Sequence, residues 1–166
     1  REGSDFTAAI VASAIKAEEV IIWKDVEGML NADPKCFEKT VKLNNISYLE
    51  AVELAYYGAS VIHPKTIKPL QNNNIPLQLK SFINPQNKGT IINKNTATDS
   101  LIPSYIQKPK QLLISIASKD YSFIAEDNLS EIYKVFSIHG VTINSMQNSA
   151  ISFSVCVDDE RPKVRE

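Results

Sequence analysis

VIIWKDVEGMLNADP, residues 20–34, is the stretch on which the fold turns. Val20–Trp23 is a short, apolar, β-branched run, which reads as a buried strand. It ends abruptly in Lys24 and Asp25. In an open α/β sheet, charged residues just past the end of an apolar strand stand where ligands bind. The Glu27-Gly28 turn and the Asp33-Pro34 pair then make residues 25–42 mostly loop.

The pattern continues on both sides. Residues 5–17 (DFTAAIVASAIKA) are rich in alanine and apolar side chains, which predicts a helix with Ser4 or Asp5 as its cap. Ser47 and Glu50 make a capping box that opens a helix to about Tyr57, and Gly58 stands at its C-terminal cap. Ser60–Ile62 reads as a short strand, and Pro64 suits the first turn of the next helix. Ile75–Phe82 alternates as a strand, Asn84–Gly89 is a turn, and Thr90–Ile92 is a final short strand. Alternating helices and strands from Asp5 to Ile92 predict an α/β layer with mostly parallel strands.

The composition shifts at residues 93–109 (NKNTATDSLIPSYIQKP). This stretch is polar, holds two prolines and lacks periodicity, so it reads as a linker. A second pattern follows. Leu112–Ala117 is a strand, and Asn128–His139 carries a helical stripe of Leu129, Ile132, Val135 and Phe136. Gly140 ends that helix. Val141–Met146 and Ala150–Val157 are two further strands, giving βαββ, and residues 160–166 read as the start of another helix.

The chain has 166 residues and a formal net charge of -1. It carries no broad basic field for nucleic acid or an anionic membrane. Cys36 and Cys156 are far apart and lack metal-ligand spacing, so reduced thiols in a cytosolic protein are expected, and no metal site. No apolar run approaches a membrane span, and the first residues lack a signal-peptide pattern. The opening on Arg-Glu-Gly-Ser-Asp, without an initiator methionine, is expected of a fragment.

Two clusters carry chemistry. At Arg1–Asp5, small residues ahead of a helix expose its first N–H groups. Arg1 offers a fork for a carboxylate, and Asp5 a carboxylate for a cationic group or a proton. Together they suit a small zwitterion; an ordinary helix cap fits the same residues. At Lys24–Asp25, Lys24 and Lys35 are placed to neutralise phosphates, and Asp25 to meet a ribose, an amine or a metal shell. A solvated strand-to-loop junction fits those residues too.

Taken together, REGSDF (Arg1–Phe6), WKDVEGMLNADP (Trp23–Pro34) and YGASVIHPKT (Tyr57–Thr66), followed by IPLQLKSFINPQNKGTII, resemble the aspartate kinases of the amino-acid kinase superfamily. The resemblance covers residues 1–92. It implies the C-terminal part of an α/β/α sandwich and the reaction of ATP, with magnesium, and L-aspartate to give ADP and 4-phospho-L-aspartate. That is the first committed step toward lysine, threonine and methionine. It implies Arg1, Gly3 and Ser4 as aspartate-binding positions and Asp5 as a catalytic, organising acid. Lys24, Asp25, Leu30, Lys35, Ser60 and Val61 are implied as nucleotide-contacting positions. The neighbouring alternatives are another amino-acid kinase, such as glutamate 5-kinase, and a non-catalytic amino-acid-binding module.

Several positions depart from the family. Glu2 replaces a glycine, Lys24 a threonine, Leu30 a frequent tyrosine, and Ser60 a frequent lysine. The Lys24 side chain is a candidate to supply the charge lost at Ser60. His63-Pro64, though kept by the family, reads as structural. The family's Lys-Phe-Gly-Gly-type segment, whose lysine contacts the transferring phosphate, is not found in this sequence. The 166 residues alone are therefore expected not to phosphorylate aspartate.

Residues 110–157, through KQLLISIAS, NLSEIYKVFSIHGV and TINSMQNSAISFSV, resemble the first ACT domain of the same enzymes, which implies an incomplete ferredoxin-like βαββ(αβ) unit over residues 110–166. Such units pair and bind an amino-acid effector. This implies a homodimer and an effector site of Asp127, Asn128 and Leu129 with Thr142, Asn144 and Gln147. Lysine-sensitive forms carry an acidic residue where Asn144 stands, so both lysine and threonine are open as effectors. The expected location is the cytoplasm.

Overall fold

The computed structural model describes residues 3–59 and 61–159. Arg1, Ser60 and the helix expected at 160–166 lie outside those residues. The chain divides into two compact units, Arg1–Gln107 and Lys108–Glu166.

The first unit opens with α1 (Gly3–Ile15). Ser4 and Asp5, expected as caps, lie inside its first turn, where Asp5 still complements the dipole. The helix stops at Lys16, which takes a positive φ of 53° while Ala17 N donates back to Ala12 O. β1 (Val20–Lys24) follows, then β2 (Asn45–Ser47), α2 (Tyr48–Tyr57), α3 (Pro64–Asn72), β3 (Leu77–Ser81) and β4 (Thr90–Asn93). The capping box at Ser47 forms half as expected: Ser47 Oγ accepts from Glu50 N at 3.0 Å. His63 is the N-cap of α3, its Nδ1 accepting from Lys65 N, and Pro64 opens the helix.

The sheet order is β1-β3-β4-β2. β1 runs parallel to β3 and β2 parallel to β4, but β3 and β4 are antiparallel. The expected mostly parallel sheet is thus mixed. The reason is the short Asn84–Gly89 connection, which can only join neighbours as a hairpin. The strand expected at Ser60–Ile62 does not form at its described residues; Val61 and Ile62 lie in a turn. Ile62 is buried, so the apolar run reflects core packing rather than strand pairing. Ala9 and Ala12 of α1, Ile67 and Leu70 of α3, and Leu77, Leu79 and Ile92 of the sheet form one core. Tyr48 anchors α2 across it by donating from its hydroxyl to Ile75 O at 2.7 Å.

Residues 94–107 are bonded into this unit. Asp99 Oδ1 accepts from Ser47 N, and Thr98 Oγ1 donates to Asn45 O.

The second unit is β5 (Gln111–Ala117), α4 (Glu126–Ile138), β6 (Ile143–Asn148) and β7 (Ser152–Asp158). Its antiparallel sheet has the order β5-β7-β6, with a register shift between Ile143 and Ser145. This is the βαββ order expected. Phe153, Val155 and Val157 of β7 are buried against Leu129, Ile132 and Phe136 of α4. Among the described residues, no helix is long and apolar enough to cross a membrane.

Candidate functional site

The site in the first unit follows from two lengths. A helix of 13 residues spans about 18 Å after its first Cα, and a strand of five residues spans about 16 Å with its flanks. A chain that turns back after α1 therefore returns the end of β1 to the start of the helix. Lys24, the last residue of β1, meets Asp5 in the first turn of α1 there. Lys24 Nζ donates to Asp5 Oδ2 at 2.6 Å. Both side chains are mostly buried, at 29% and 21% exposure. A cation and an anion fixed in contact at a strand end are preorganised rather than solvated. Gly3 and Ser4 are exposed on the same first turn, and Asp25 is exposed one residue beyond Lys24.

The loop after Asp25 is pinned from below. Gly28 has φ 134°, and a Cβ there would stand 2.5 Å from Thr90 Oγ1. The loop can lie this close to β4 only with glycine at that position. Thr90, fully buried, accepts from Met29 N at 2.8 Å and donates to Leu43 O at 2.6 Å, closing the loop at both ends. Glu27 accepts from Asn84 Nδ2 and Asn87 Nδ2, and Lys42 Nζ donates to Asn87 Oδ1 at 2.6 Å. The Glu27 carboxylate is therefore held by the β3–β4 hairpin. Leu30 forms an antiparallel bridge with Lys42 and is half-buried. Lys35 is exposed in a turn where its N–H donates to Asp33 Oδ1. Val61 packs on the core.

The structure thus joins Asp5 and Lys24 directly and places Gly3, Ser4 and Asp25 beside them. Leu30 and Lys35 lie further along the same loop. The residues that sequence reasoning missed are those holding the loop: Thr90, Asn87 and Asn31. Their partners are tens of residues away in sequence. Only Gly89, in the Asn-Lys-Gly turn before Thr90, hinted at a close approach.

Magnesium carried on nucleotide phosphates needs only one or two protein carboxylates. The described residues hold no cluster of three or more His, Cys, Asp or Glu side chains able to bind a metal. Asp25, exposed at the strand end, has the donor chemistry such an ion takes.

In the second unit the six implied effector residues divide. Asp127, Asn128 and Leu129 are in the first turn of α4. Asn128 Oδ1 accepts from Ala125 N, closing the helix start, and Leu129 packs into the core. Thr142 and Asn144 lie at the other end of the sheet, near Val157 and Gln111. Asn144 is engaged on both sides: its Nδ2 donates to Gln111 Oε1 and Asp158 Oδ1, and its Oδ1 accepts from Lys108 Nζ at 2.8 Å. Gln147 is exposed and pairs in register with Ser154. Hydrogen bonds from Gln111, Lys108 and Asn144 hold the Asp158 carboxyl below the usual carboxylate range.

Residues 1–81, just under half of the chain, match the amino acid kinase family model. Within it, the resemblance is to aspartokinases. The chain is 32% identical to the chloroplastic aspartokinase 1 of Arabidopsis thaliana, an alignment covering 100% of this chain and 29% of the relative. The solved structure of E. coli aspartokinase III in complex with aspartate and ADP superimposes with a TM-score of 0.77 at 30% identity. The same enzyme in complex with lysine and aspartate gives 0.79, also at 30%. Both structures cover 95% of this chain and 35% of their own. The chain therefore spans about a third of the length of each of these relatives. Its fold is α/β: part of an amino-acid-kinase domain followed by an ACT-like βαββ unit.

Proposed function

We propose that the full-length protein is an ATP-dependent aspartate kinase. A β-carboxylate oxygen of L-aspartate attacks the γ-phosphorus of ATP, the bond to the β-phosphate oxygen breaks, and ADP leaves with the electron pair. In this reading residues 1–92 are the C-terminal part of the catalytic domain, 93–109 a connecting segment bonded to it through Thr98, Asp99 and Tyr105, and 110–166 a partial ACT domain.

The observation that carries the reading is the Lys24–Asp5 pair at 2.6 Å, at the meeting of a helix N-terminus and a strand end. Arg1, Gly3 and Ser4 hold the aspartate substrate. Lys24 brings positive charge to the phosphates, while Asp5 fixes its ammonium group and keeps it from folding back into solvent. Asp25 is the carboxylate for the magnesium that accompanies ATP. Leu30, Lys35, Ser60 and Val61 complete the nucleotide wall. Because phosphoryl transfer depends on positioning and charge neutralisation, a fixed cation at this point is what the reaction requires. The complex of the E. coli relative with aspartate and ADP supports both ligands.

The second unit is proposed to pair with a second copy and to bind an amino-acid effector, for which the lysine complex of the E. coli relative favours lysine. Since Asp127 and Asn144 stand at opposite ends of one unit, a shared site must draw its two halves from different units.

The test is to incubate the full-length protein with ATP, magnesium and L-aspartate in the presence of hydroxylamine. Aspartyl hydroxamate is expected in step with ADP. Hydroxamate from glutamate but not from aspartate, or none from any amino acid, would overturn the proposal.

A further inference from the structure

Asn31, inside the Trp23–Pro34 stretch, stands at the centre of an arrangement that the stretch itself does not declare. It uses every hydrogen-bonding group it has. Its N–H donates to Val41 O at 2.9 Å, and its Oδ1 accepts from Val41 N at 2.7 Å. Those two bonds close the neck of the loop between β1 and β2. Its other two groups face elsewhere. Asn31 Nδ2 donates to Pro103 O at 3.1 Å, and Asn31 O accepts from Tyr105 N at 2.7 Å. A ring contact continues the seam, with Phe37 and Tyr105 centroids 6.0 Å apart and tilted by 32°.

The partners on one side are thus the loop that carries Leu30 and Lys35. On the other is the segment 103–105, about seventy residues later in the chain. Two backbone-strength hydrogen bonds and an aromatic contact on one short segment make a strap. Fixing such a loop in the folded protein removes conformational freedom that a ligand would otherwise have to freeze on binding.

We propose that Asn31 is a positioning residue for the nucleotide. It holds the Leu30–Lys35 loop in its binding shape by strapping it to Pro103 and Tyr105. This rests on the nucleotide-binding reading given above. Asn31 itself need touch no substrate.

Asn31→Asp separates the two roles of the side chain. It keeps the acceptor for Val41 N but replaces the donor to Pro103 O with a carboxylate oxygen facing a carbonyl. In the full-length protein this change is expected to weaken ADP binding on the order of tenfold, equivalent to one lost hydrogen bond. The KM for ATP should rise in proportion, with kcat and the KM for aspartate within about twofold. A merely destabilised protein would instead lose kcat with the active fraction. Tyr105→Ala, at an exposed ring, loosens the same strap from the other side and should act in the same direction; it serves if Asn31→Asp does not fold.

Hydrogen exchange supplies an independent readout. Amides of residues 29–43 and 103–106 should exchange faster together in either variant. If wild-type protein binds no ADP, the nucleotide reading fails, and with it the functional role of the strap. If wild-type protein binds ADP and both variants bind it within twofold, or if exchange in 29–43 is unchanged, the positioning role of Asn31 is overturned while the nucleotide reading stands.

Discussion

Replacing Thr90 with valine keeps the shape of the side chain and removes one hydroxyl. That hydroxyl accepts from Met29 N at 2.8 Å and donates to Leu43 O at 2.6 Å, and Thr90 is fully buried. The substitution strands an N–H and a carbonyl beneath the loop that carries the candidate nucleotide residues. A buried backbone group left without a partner costs about 1–3 kcal/mol, so the pair together should cost about 2–6 kcal/mol. Thr90→Ser gives the contrast. It keeps both bonds and loses a methyl, a change of about 1 kcal/mol. Trp23 is the only tryptophan of the chain and lies on β1, so its fluorescence reports the first unit. In urea unfolding, a loss of about 3 kcal/mol at a slope of about 1.5 kcal/mol/M moves the midpoint by about 2 M. A valine variant as stable as wild type, or more stable than the serine variant, would refute the account of how the loop is held.

Three further outcomes are expected. Gly89 has φ 70°, and a Cβ there would stand 1.8 Å from Leu79 O. Gly89→Ala should therefore separate the β3–β4 hairpin at a cost above about 3 kcal/mol, read as loss of the cooperative Trp23 transition. Thr66 Oγ1 is buried and has no hydrogen-bond partner, so Thr66→Val should be neutral or raise the melting temperature, because a near-isosteric methyl replaces an unsatisfied hydroxyl. Asp158 has its folded pKa held below the unfolded value, first by Gln111 and then by Lys108 and Asn144. Its contribution is thus present above the unfolded pKa and fades as pH falls through the folded one. Asp158→Asn should therefore lower the second unit's stability at neutral pH and flatten its fall below about pH 4, measured by circular dichroism melts, while stability at the acid end stays nearly unchanged.

What was legible in the sequence is what local chemistry controls. The Ser47 box, Gly58, Pro64 and Gly140 mark helix ends because caps act within one turn. The apolar run at Val20 and its charged end at Lys24 marked a strand end that the structure reproduces, because a buried strand declares itself by composition. The misreadings are the places where distant partners decide. Asn45–Ser47 is too short to show a strand pattern and pairs only because β4 lies beside it. Val61 and Ile62 look like a strand, yet Ile62 turns into the core. Residues 93–109 look like free linker by their polarity, yet Thr98, Asp99 and Tyr105 are bonded to the first unit. The Lys24–Asp5 contact was equally hidden. Both residues were candidates for different ligands, and only the antiparallel return of β1 along α1 brings them together.

The most direct test of the central claim, that Asp5 and Lys24 act as one unit in phosphoryl transfer, is a double-mutant cycle on kcat. It uses the full-length protein with Asp5→Asn, Lys24→Met and the combined variant. Residues that work only as a contacting pair are not additive. The double variant is predicted to be about as slow as the slower single one. Losses that multiply across the two positions, or a Lys24→Met variant with unchanged kcat and KM for ATP, would contradict it.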